Sequence, residues 1–440
     1  MLPTLLLALL PQTSASATPG QAGDAWPGWR GPNAGGVATG KPPLTWSEKE
    51  NVRWKTPIPG KGLSCPVVWG ERVFLTSAVP TGKKLEGTPA GTTRRSAPEV
   101  YPPIEEQEFV VLALERKSGA VTWKKSVLTA MPHQTTHPDG SYASPTPVTD
   151  GTHLFVSFGS YGVYALTLAG EVVWQKDLGD LLIEEEFGEG SSPVLAGELL
   201  VLNWDHEGDS FLLALDKATG AERWRTPRPK GTSWTTPLVV RAGDALEIVV
   251  AGARTIAYDA ASGRELWSYG PADKGGGMLM ASPVQSDELV LCSAGGRAGE
   301  VRALVALPAA DAGPEAEPLL WATRTAAPGI PSPIVYEGVL YFLEGNSGIL
   351  DGLDPTSGER RCGPERLKEV AEVYASPVAA NGHLYVAGRE GKVAVLATRA
   401  KLETVAVNTL EDGFDSSPAI AGDELFLRGR ASLYCIAKQP

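Results

Sequence analysis

Cysteine is scarce in this chain, and the way it is distributed excludes several classes of protein. The four cysteines among 440 residues stand singly, at Cys65, Cys292, Cys362 and Cys435. No Cys-x-x-Cys pair and no adjacent cysteines occur, so the sequence indicates neither a zinc ribbon nor a thiol–disulfide redox motif. Four cysteines allow three disulfide pairings, and their apolar surroundings equally fit buried free thiols. The sequence therefore leaves the disulfide state open.

Clusters of basic residues and long hydrophobic runs are also missing. The chain carries 39 Lys and Arg against 51 Asp and Glu, a net charge of −12. Because no basic patch is present to neutralise phosphates, we expect neither nucleic acid nor an anionic membrane surface as a partner. No apolar run reaches the ~20 residues that a transmembrane helix needs. The composition predicts a globular, soluble protein, which we expect to be a monomer.

One short apolar run lies at the N-terminus. Residues 1–17 read MLPTLLLALLPQTSASA and end in Ala15-Ser16-Ala17, the small-x-small pattern that signal peptidases cleave. No Lys or Arg precedes the apolar centre, so a ragged N-terminus or a misplaced start is the alternative interpretation. We predict a signal peptide over 1–17 with cleavage near Ala17, a periplasmic or secreted protein, and a leader segment over 18–45.

Glycine and proline are abundant, with 50 and 36 copies, and the prolines reveal a repeat. A proline, usually after Ser or Thr, begins an apolar stretch eight times, and a turn and an alternating strand follow it. The eight positions are Pro66, Pro145, Pro193, Pro237, Pro283, Pro333, Pro377 and Pro418. Their spacing is about 45 residues, apart from an insertion at 80–107. Four short strands per repeat of this length are typical of a β-propeller.

A second signature, Ala-x-Asp-x-x-[Ser/Thr]-Gly with a Trp four residues later, recurs in phase with the prolines. It is clearest at Ala214–Gly220 with Trp224 and at Ala257–Gly263 with Trp267. The Asp side chain accepts hydrogen bonds from nearby backbone N–H groups, and the Gly supplies a positive φ for the hairpin turn. We expect the Trp to cover the neighbouring repeat. Its position is held by Trp54, Trp123, Trp174, Trp224, Trp267, Trp321, Cys362 and, in repeat seven, Val405 or Val407.

The repeats predict how the ring closes. The eighth begins at Pro418 and leaves room for only three strands before Pro440. The segment 51–55, which contains Trp54, supplies the missing fourth strand. We therefore predict an all-β fold over 46–440: an eight-bladed β-propeller of four-stranded antiparallel blades, the last closed by an N-terminal strand.

These motifs resemble the PQQ-like repeats of the quinoprotein alcohol dehydrogenase-like superfamily, over about residues 45–440. The segment Trp26–Asn33 is similar to the leader of exported, BamB-like bacterial propellers. The resemblance implies two functions: a binding scaffold, or a PQQ-dependent dehydrogenase that uses calcium. The catalytic branch carries an adjacent Cys-Cys pair against the quinone, which this chain lacks. We therefore expect no cofactor, and keep PQQ with Ca²⁺ as the alternative.

Strand order predicts that the loops between second and third strands and those between blades share one face. The binding residues expected there are His133, His137, Tyr142, Trp204, Trp234 and Arg297. Asp205, His206 and Asp209 have the donor types that a divalent cation takes, with a solvated polar loop as the alternative. Trp204, Trp234 and Tyr142 would also suit stacking on sugar rings, unless they pack in the core.

Motifs of common hydrolases, metalloproteases, P-loop proteins and dinucleotide-binding enzymes are absent, so we assign no catalytic residue. We predict an exported, non-catalytic binding or scaffold protein that holds a protein or cell-envelope partner on that face. The alternative is a PQQ-dependent oxidoreductase acting on alcohols or sugars, and carbohydrate binding is a third hypothesis.

Overall fold

The computed structural model confirms the fold class. It describes residues 24–86, 104–242, 245–252, 254–270, 278–294, 300–305, 318–323, 327–398 and 402–438. Across these residues eight antiparallel blades of four strands surround a channel, and blade seven gains a fifth, parallel strand. We call the strands of each blade A to D from the channel outward. The upper face carries the B–C and D–A loops, and the lower face carries the A–B and C–D turns.

Strands A and B form the inner half of each blade, and run from blade one to blade eight as follows. The A strands are β3 Val67–Trp69, β7 Val148–Thr149, β11 Val194–Ala196, β15 Leu238–Ala242, β19 Val284–Ser286, β23 Ile334–Tyr336, β27 Val378–Ala380 and β31 Ala419–Ala421. The B strands are β4 Arg72–Lys84, β8 His153–Ser157, β12 Leu199–Trp204, β16 Ala245–Val250, β20 Leu289–Ala294, β24 Val339–Leu343, β28 His383–Ala387 and β32 Glu424–Arg428.

Strands C and D form the outer half of each blade, in the same order. The C strands are β5 Glu105–Glu115, β9 Val163–Thr167, β13 Phe211–Asp216, β17 Thr255–Asp259, β21 Glu300–Val305, β25 Ile349–Leu353, β29 Lys392–Ala397 and β33 Ser432–Ile436. The D strands are β6 Val121–Ala130, β10 Val172–Lys176, β14 Glu222–Pro227, β18 Glu265–Tyr269, β22 Leu319–Thr323, β26 Arg360–Arg366, β30 Glu403–Thr409 and β2 Val52–Pro57. Two single-turn 3-10 helices span Gly159–Tyr161 and Glu184–Glu186.

Blade eight is closed as the sequence predicts. Strand β2 from the N-terminal part of the chain pairs antiparallel with β33, and Trp54 lies opposite Cys435. The two ends of the chain therefore share one sheet, which removes two exposed strand edges from the ring.

The recurring Trp links each blade to the next. Its ring lies over the glycine of the next C–D turn, and its indole N–H donates to a carbonyl two or three residues before that glycine. The pairs are Trp54 with Gly119, Trp123 with Gly170, Trp174 with Gly220, Trp224 with Gly263 and Trp321 with Gly358. Trp267 differs, because its N–H donates to the buried carboxyl of Glu247 at 3.0 Å.

Two details of the repeat differ from the sequence prediction. In blade two the residue equivalent to the other Ser/Thr-Pro positions is Thr146, followed by Pro147, and Pro145 lies one step too early. In blade seven the Trp position is held by Ala406, which lies opposite Val395, and not by Val405 or Val407. A large side chain is not needed at this position, since Trp46, which directly follows the leader, packs into the same hydrophobic cluster.

The leader, which the structure describes over residues 24–45, crosses the lower face together with residues 46–51 that follow it. Trp26 pairs with Val68 of blade one, and Arg30 reaches blade six, where its Nη2 donates to the Pro333 carbonyl at 2.7 Å. The leader then adds the short strand β1, Val37–Ala38, beside β27 of blade seven. It therefore passes from one side of the ring to the other beneath the channel.

The insertion expected at 80–107 begins as an extension of one hairpin. Strands β4 and β5 continue their pairing as far as Lys84 opposite Glu105. Residues 87–103 of the insertion lie outside the described residues, as do 1–23 with the expected signal peptide. In the part of the chain that is described, no helix has the length and apolar character needed to span a membrane.

Candidate functional site

A ring of side chains surrounds the channel where the A strands begin. The backbone N–H of Cys65 donates to the Thr146 hydroxyl at 2.9 Å, and the same contact links successive blades at 2.9 to 3.1 Å. The backbone of Ser417 hydrogen-bonds the Cys65 thiol and completes the circle. This hydroxyl ring consists of Cys65, Thr146, Ser192, Thr236, Ser282, Ser332, Ser376 and Ser417. The Ser/Thr-Pro dipeptide of the sequence is thus a hydrogen-bonded link between blades.

The hydroxyl ring forms part of the wall of a cavity of about 330 Å³ in the channel. Trp29 of the leader lies at its lower end. At the upper face the D–A loops form its mouth with His137, Phe187, Trp234 and Tyr374. This volume is within the range of small-molecule sites, which are mostly apolar with a few convergent polar groups.

The wall above the hydroxyl ring is built by a simple rule. The residue two positions before each ring member lines the cavity in every blade, because alternate residues of an extended segment face the same side. These residues are Leu63, Ser144, Gly190, Trp234, Met280, Ile330, Tyr374 and Asp415. Sequence reasoning found only Trp234 among them, although the offset from the Ser/Thr-Pro dipeptide was a signal for all eight.

Arg389 joins three loops at the mouth of the cavity. Its guanidinium donates to Asp139 and Asp415 at 2.7 Å and to Glu372 at 3.1 Å, and lies 3.9 Å from the centre of the Tyr374 ring. Burial lowers the pKa of Arg389, but the hydrogen bonds to Asp139 and Asp415 raise it overall. Asp139 belongs to the loop after blade one and Arg389 to blade seven, so this contact spans blade eight.

Glu189 is a half-buried carboxyl group that also lines the cavity. Its oxygens accept the backbone N–H of Ser160 at 2.8 Å and the Ser160 hydroxyl at 2.6 Å. In the described part of the chain it forms no ion pair with Lys or Arg. Burial raises the pKa of Glu189 to about 7, although the Ser160 hydrogen bonds oppose the rise. Its charge therefore changes near neutral pH.

The metal site expected at Asp205, His206 and Asp209 is not formed. The Arg228 guanidinium donates hydrogen bonds to both carboxylate oxygens of Asp205, at 2.7 and 2.9 Å, and this ion pair is fully buried. His206 is buried and its Nδ1 accepts the backbone N–H of Leu182 at 3.0 Å, whereas Asp209 is fully exposed. Among the described residues, no three His, Cys, Asp or Glu side chains are grouped to hold a metal ion. The prediction was wrong because the sequence of this loop does not show that the buried Arg228 occupies the Asp205 carboxylate.

The other expected residues are divided between the cavity and the core. His137 and Trp234 line the cavity itself. His133 and Tyr142 lie behind its wall, around a narrow void that also touches Glu189. The Nδ1 of His133 is 3.0 Å from the hydroxyl of Tyr161, and the Tyr142 hydroxyl donates to the carbonyl of Gln134 at 3.0 Å.

Trp204 is not available for stacking on a sugar. It is only 2% exposed and is stacked on Phe211, with ring centres 5.9 Å apart. Of the three aromatic residues expected to stack on sugars, only Trp234 lines the cavity. Arg297, the remaining upper-face residue, lies outside the described residues.

The donor set at the mouth does not fit the calcium-bound quinone of the catalytic branch. The Asp415 carboxylate is held by Arg389 and Arg430, and the Asp139 carboxylate by Arg389, so neither is free to coordinate a cation. The chain also lacks the adjacent cysteines of that branch. We therefore derive no redox step through such a group.

The fold and the cavity define a propeller of the PQQ-like repeat class. A family model described as outer membrane protein assembly factor BamB matches residues 107–232 and 208–439, and the chain belongs to this family. A comparison with curated sequences gives no match.

Solved structures show the same fold at low sequence identity. BamB from Moraxella catarrhalis is similar with a TM-score of 0.56 and 13% identity, over 80% of this chain and 99% of that chain. Quinohemoprotein alcohol dehydrogenase from Comamonas testosteroni is similar with a TM-score of 0.62 and 10% identity, over 95% of this chain and 81% of that chain. The quinohemoprotein alcohol dehydrogenase ADHIIG from Pseudomonas putida HK5 is similar with a TM-score of 0.57 and 10% identity, over 96% of this chain and 81% of that chain. These similarities extend to the fold alone.

Proposed function

We propose that this protein is an exported, non-catalytic binding protein of the cell envelope that holds a protein partner on its upper face. The observation that carries the proposal is the difference between the two faces. The leader covers the channel on the lower face, whereas the upper face presents the half-buried aromatic side chains Phe187, Trp234 and Tyr374 around a mouth. Aromatic residues at a partly exposed rim are typical anchors of protein interfaces. Membership in a family named for an assembly factor supports the same role.

Site-specific photo-crosslinking in the producing cells tests this proposal. A photoreactive phenylalanine analogue replaces Tyr374 or Phe187 at the mouth, and in the control it replaces Glu198, which is 80% exposed in a lower-face turn. We expect a discrete crosslinked protein from the two mouth positions and none from the control position. Crosslinking of the same protein from Glu198, or of no protein from either mouth position, would contradict an upper-face interface.

Export is part of the proposal, and the leucine-rich segment 1–17 supports it. N-terminal sequencing of the protein purified from its cells, together with fractionation, tests it. We expect a mature chain beginning near Thr18 in the periplasmic or secreted fraction. An intact Met1 in the cytoplasmic fraction would contradict export.

The alternative is a PQQ-dependent oxidoreductase, and a titration separates it from the binding protein. The purified mature protein is titrated with PQQ and Ca²⁺ while heat and quinone absorbance are followed. We expect no saturable binding in a sample shown to be folded, because the carboxylates at the mouth are paired with arginines. Saturable binding at micromolar or tighter affinity would favour the enzyme and justify assays with alcohols and sugars.

A further inference from the structure

One loop of the upper face is fastened to its surroundings by side chains of neighbouring loops. We call residues 177–186 the flap; they follow β10 of blade two and include the second 3-10 helix. Four consecutive backbone N–H groups of the flap, at 181–184, each donate to a side chain of another segment. In chain order the acceptors are Ser160 Oγ at 2.7 Å, His206 Nδ1 at 3.0 Å, Gln134 Oε1 at 3.0 Å and Thr232 Oγ1 at 2.9 Å.

A small apolar cluster lies beneath the flap, separate from the cores of the blades. Leu181 and Ile183 of the flap pack there with Trp204 of blade three, and all three side chains are buried. Leu182, which lies between the first two in the chain, is exposed. Movement of the flap away from blade three would therefore expose an apolar patch on the upper face.

His206 is the acceptor among these four that gains a proton between pH 8 and pH 5. Because its Nδ1 accepts the Leu182 N–H, the ring is neutral and carries its hydrogen on Nε2. A protonated imidazole carries a hydrogen on both nitrogens, so Nδ1 would then face the Leu182 N–H as a second donor. The bond to Leu182 and a positive charge on His206 therefore exclude each other.

A second histidine contacts the flap without this conflict. The Nε2 of His133 lies 2.9 Å from the carbonyl oxygen of Leu181, and its Nδ1 lies 3.0 Å from the Tyr161 hydroxyl. The Nε2–H donates to the carbonyl, and the hydroxyl can accept a hydrogen from Nδ1 once the ring is protonated. Asp180, 3.9 Å from Nδ1, favours the charged ring. His133 thus holds the flap in either charge state.

We propose that the flap is an acid-released switch, in which protonation of His206 breaks its bond to Leu182 and frees the flap from blade three. The release exposes the apolar cluster that contains Trp204. Phe187 follows the flap directly, so the release also alters the mouth on the upper face. That consequence rests on the proposed function, whereas the release itself does not.

The closed flap opposes the charge on His206. Burial lowers the pKa of His206 below its usual value of 6.5, although a hydrogen bond to the backbone of Asp209 opposes the shift. In the open flap the ring meets water and its pKa returns toward 6.5. The contribution of His206 to closure is therefore complete above about pH 6.5 and is lost as pH falls toward the lowered pKa.

The other charges around His206 belong to three segments. They are Asp205, Glu207 and Asp209 on its own loop, Arg228 and Lys230 after blade three, and Asp177, Asp180, Glu184, Glu185 and Glu186 on the flap. Arg228 pairs with Asp205, and Lys230 with Asp209. The remaining carboxylates attract a proton to His206, but burial prevails.

Glu189, just after the flap, also titrates in this range, because burial raises its pKa to about 7. It accepts hydrogen bonds from Ser160, the residue that holds the Leu181 N–H. A raised pKa means that the folded arrangement binds the proton more tightly, so acid strengthens the contribution of Glu189 to closure. Acid release therefore cannot come from Glu189.

Hydrogen exchange measured by mass spectrometry on the purified protein tests the switch. Peptides that cover the flap are followed from pH 8 to pH 5 as protection factors, which remove the pH dependence of exchange in an unfolded chain. We expect flap protection to fall about tenfold between pH 7 and pH 5, while peptides of β32 keep theirs. Flap protection that stays constant or rises toward pH 5 would overturn the proposal.

Two matched variants assign the effect to one histidine. In His206→Asn the amide oxygen takes the place of Nδ1 and accepts the Leu182 N–H at every pH, so protection should persist at pH 5. In His133→Gln the amide nitrogen takes the place of Nε2, so the tenfold fall should remain. A fall that persists in His206→Asn, or one that disappears in His133→Gln, would also overturn the proposal. The wild-type profile decides even where a variant does not fold.

Discussion

The indole ring of Trp54 lies over the Cα of Gly119, and its N–H donates to the carbonyl of Arg116 at 2.9 Å. Trp54 belongs to the D strand of blade eight, and Gly119 lies in the C–D turn of blade one. The contact therefore joins the last blade to the first. It is the same contact that other tryptophans make between consecutive blades, used here to close the ring.

Replacement of Trp54 by Ala should destabilise the protein strongly. Trp54 is 8% exposed and packs against Phe426 as well as Gly119. We expect a loss of about 3–5 kcal/mol in the free energy of unfolding, measured by chemical denaturation, as for other large buried side chains cut to Ala. Val121→Ala, at an exposed residue of the neighbouring D strand, is the control. A loss below about 0.5 kcal/mol for Trp54→Ala would contradict closure by this strand.

The glycine beneath the indole can be tested with a matched pair of substitutions. Gly119 and Gly197 both have positive φ, +72° and +62°, so Ala is strained at either position. A Cβ at Gly119 would lie 2.5 Å from the Trp54 ring, whereas a Cβ at Gly197 would meet nothing within 4 Å. We expect Gly197→Ala to cost about 1–2 kcal/mol from backbone strain and Gly119→Ala clearly more. Equal losses in denaturant melts would show that the ring contact contributes little.

Because Asp205 forms a buried ion pair with Arg228, replacing Asp205 should destabilise the protein far more than replacing the nearby Asp209. Asp205→Ala leaves the Arg228 charge buried without a partner, so we expect a loss of about 3–5 kcal/mol in unfolding free energy. Asp209→Ala, at a fully exposed side chain, should cost under about 0.5 kcal/mol.

The same two variants test the absence of a metal at this loop. Added Ca²⁺ or Zn²⁺ should not raise the melting temperature of the wild-type protein through this loop. Metal-dependent stabilisation that both Asp205→Ala and Asp209→Ala remove would restore the metal site expected from the sequence.

Glu247 predicts a pH dependence of stability. It is fully buried, and burial raises its pKa from 4.5 to about 7 although the Trp267 indole N–H donates to it. Between these two values the folded state holds more protons than the unfolded state, so this group makes stability fall as pH rises. The destabilisation caused by ionised Glu247 is absent below about pH 4.5 and complete above about pH 7.

Comparison with Glu247→Gln isolates that group from all other titrations. The variant should match the wild type near pH 4 and become more stable by on the order of 2–3 kcal/mol near pH 8. Urea denaturation across this range measures the difference. A difference that does not change with pH would show that Glu247 keeps an ordinary pKa.

The sequence by itself was enough to predict the fold of this protein. The Asp, the Gly and the Trp of each docking turn lie within about ten residues of one another, and their contacts reach only the adjacent repeat. In Asp216, for example, the carboxylate accepts the backbone N–H groups of Ala218 and Thr219, as the motif predicts. Contacts of this kind are encoded locally and repeated in phase, so a single chain reveals both the blades and the strand that closes them.

The candidate site was decided by the tertiary structure. The ring closure brings Asp139 to Arg389, and the leader beneath the channel brings Arg30 to Pro333; these pairs are 250 and 303 residues apart in the chain. It also places Arg228 against Asp205, which replaced an expected metal site by a buried ion pair. Burial, and with it the charge of Glu189, depends on which loops meet at the channel mouth. Periodicity within the sequence identifies the loops of one face, but only the closed ring determines which side chains from separate blades come into contact.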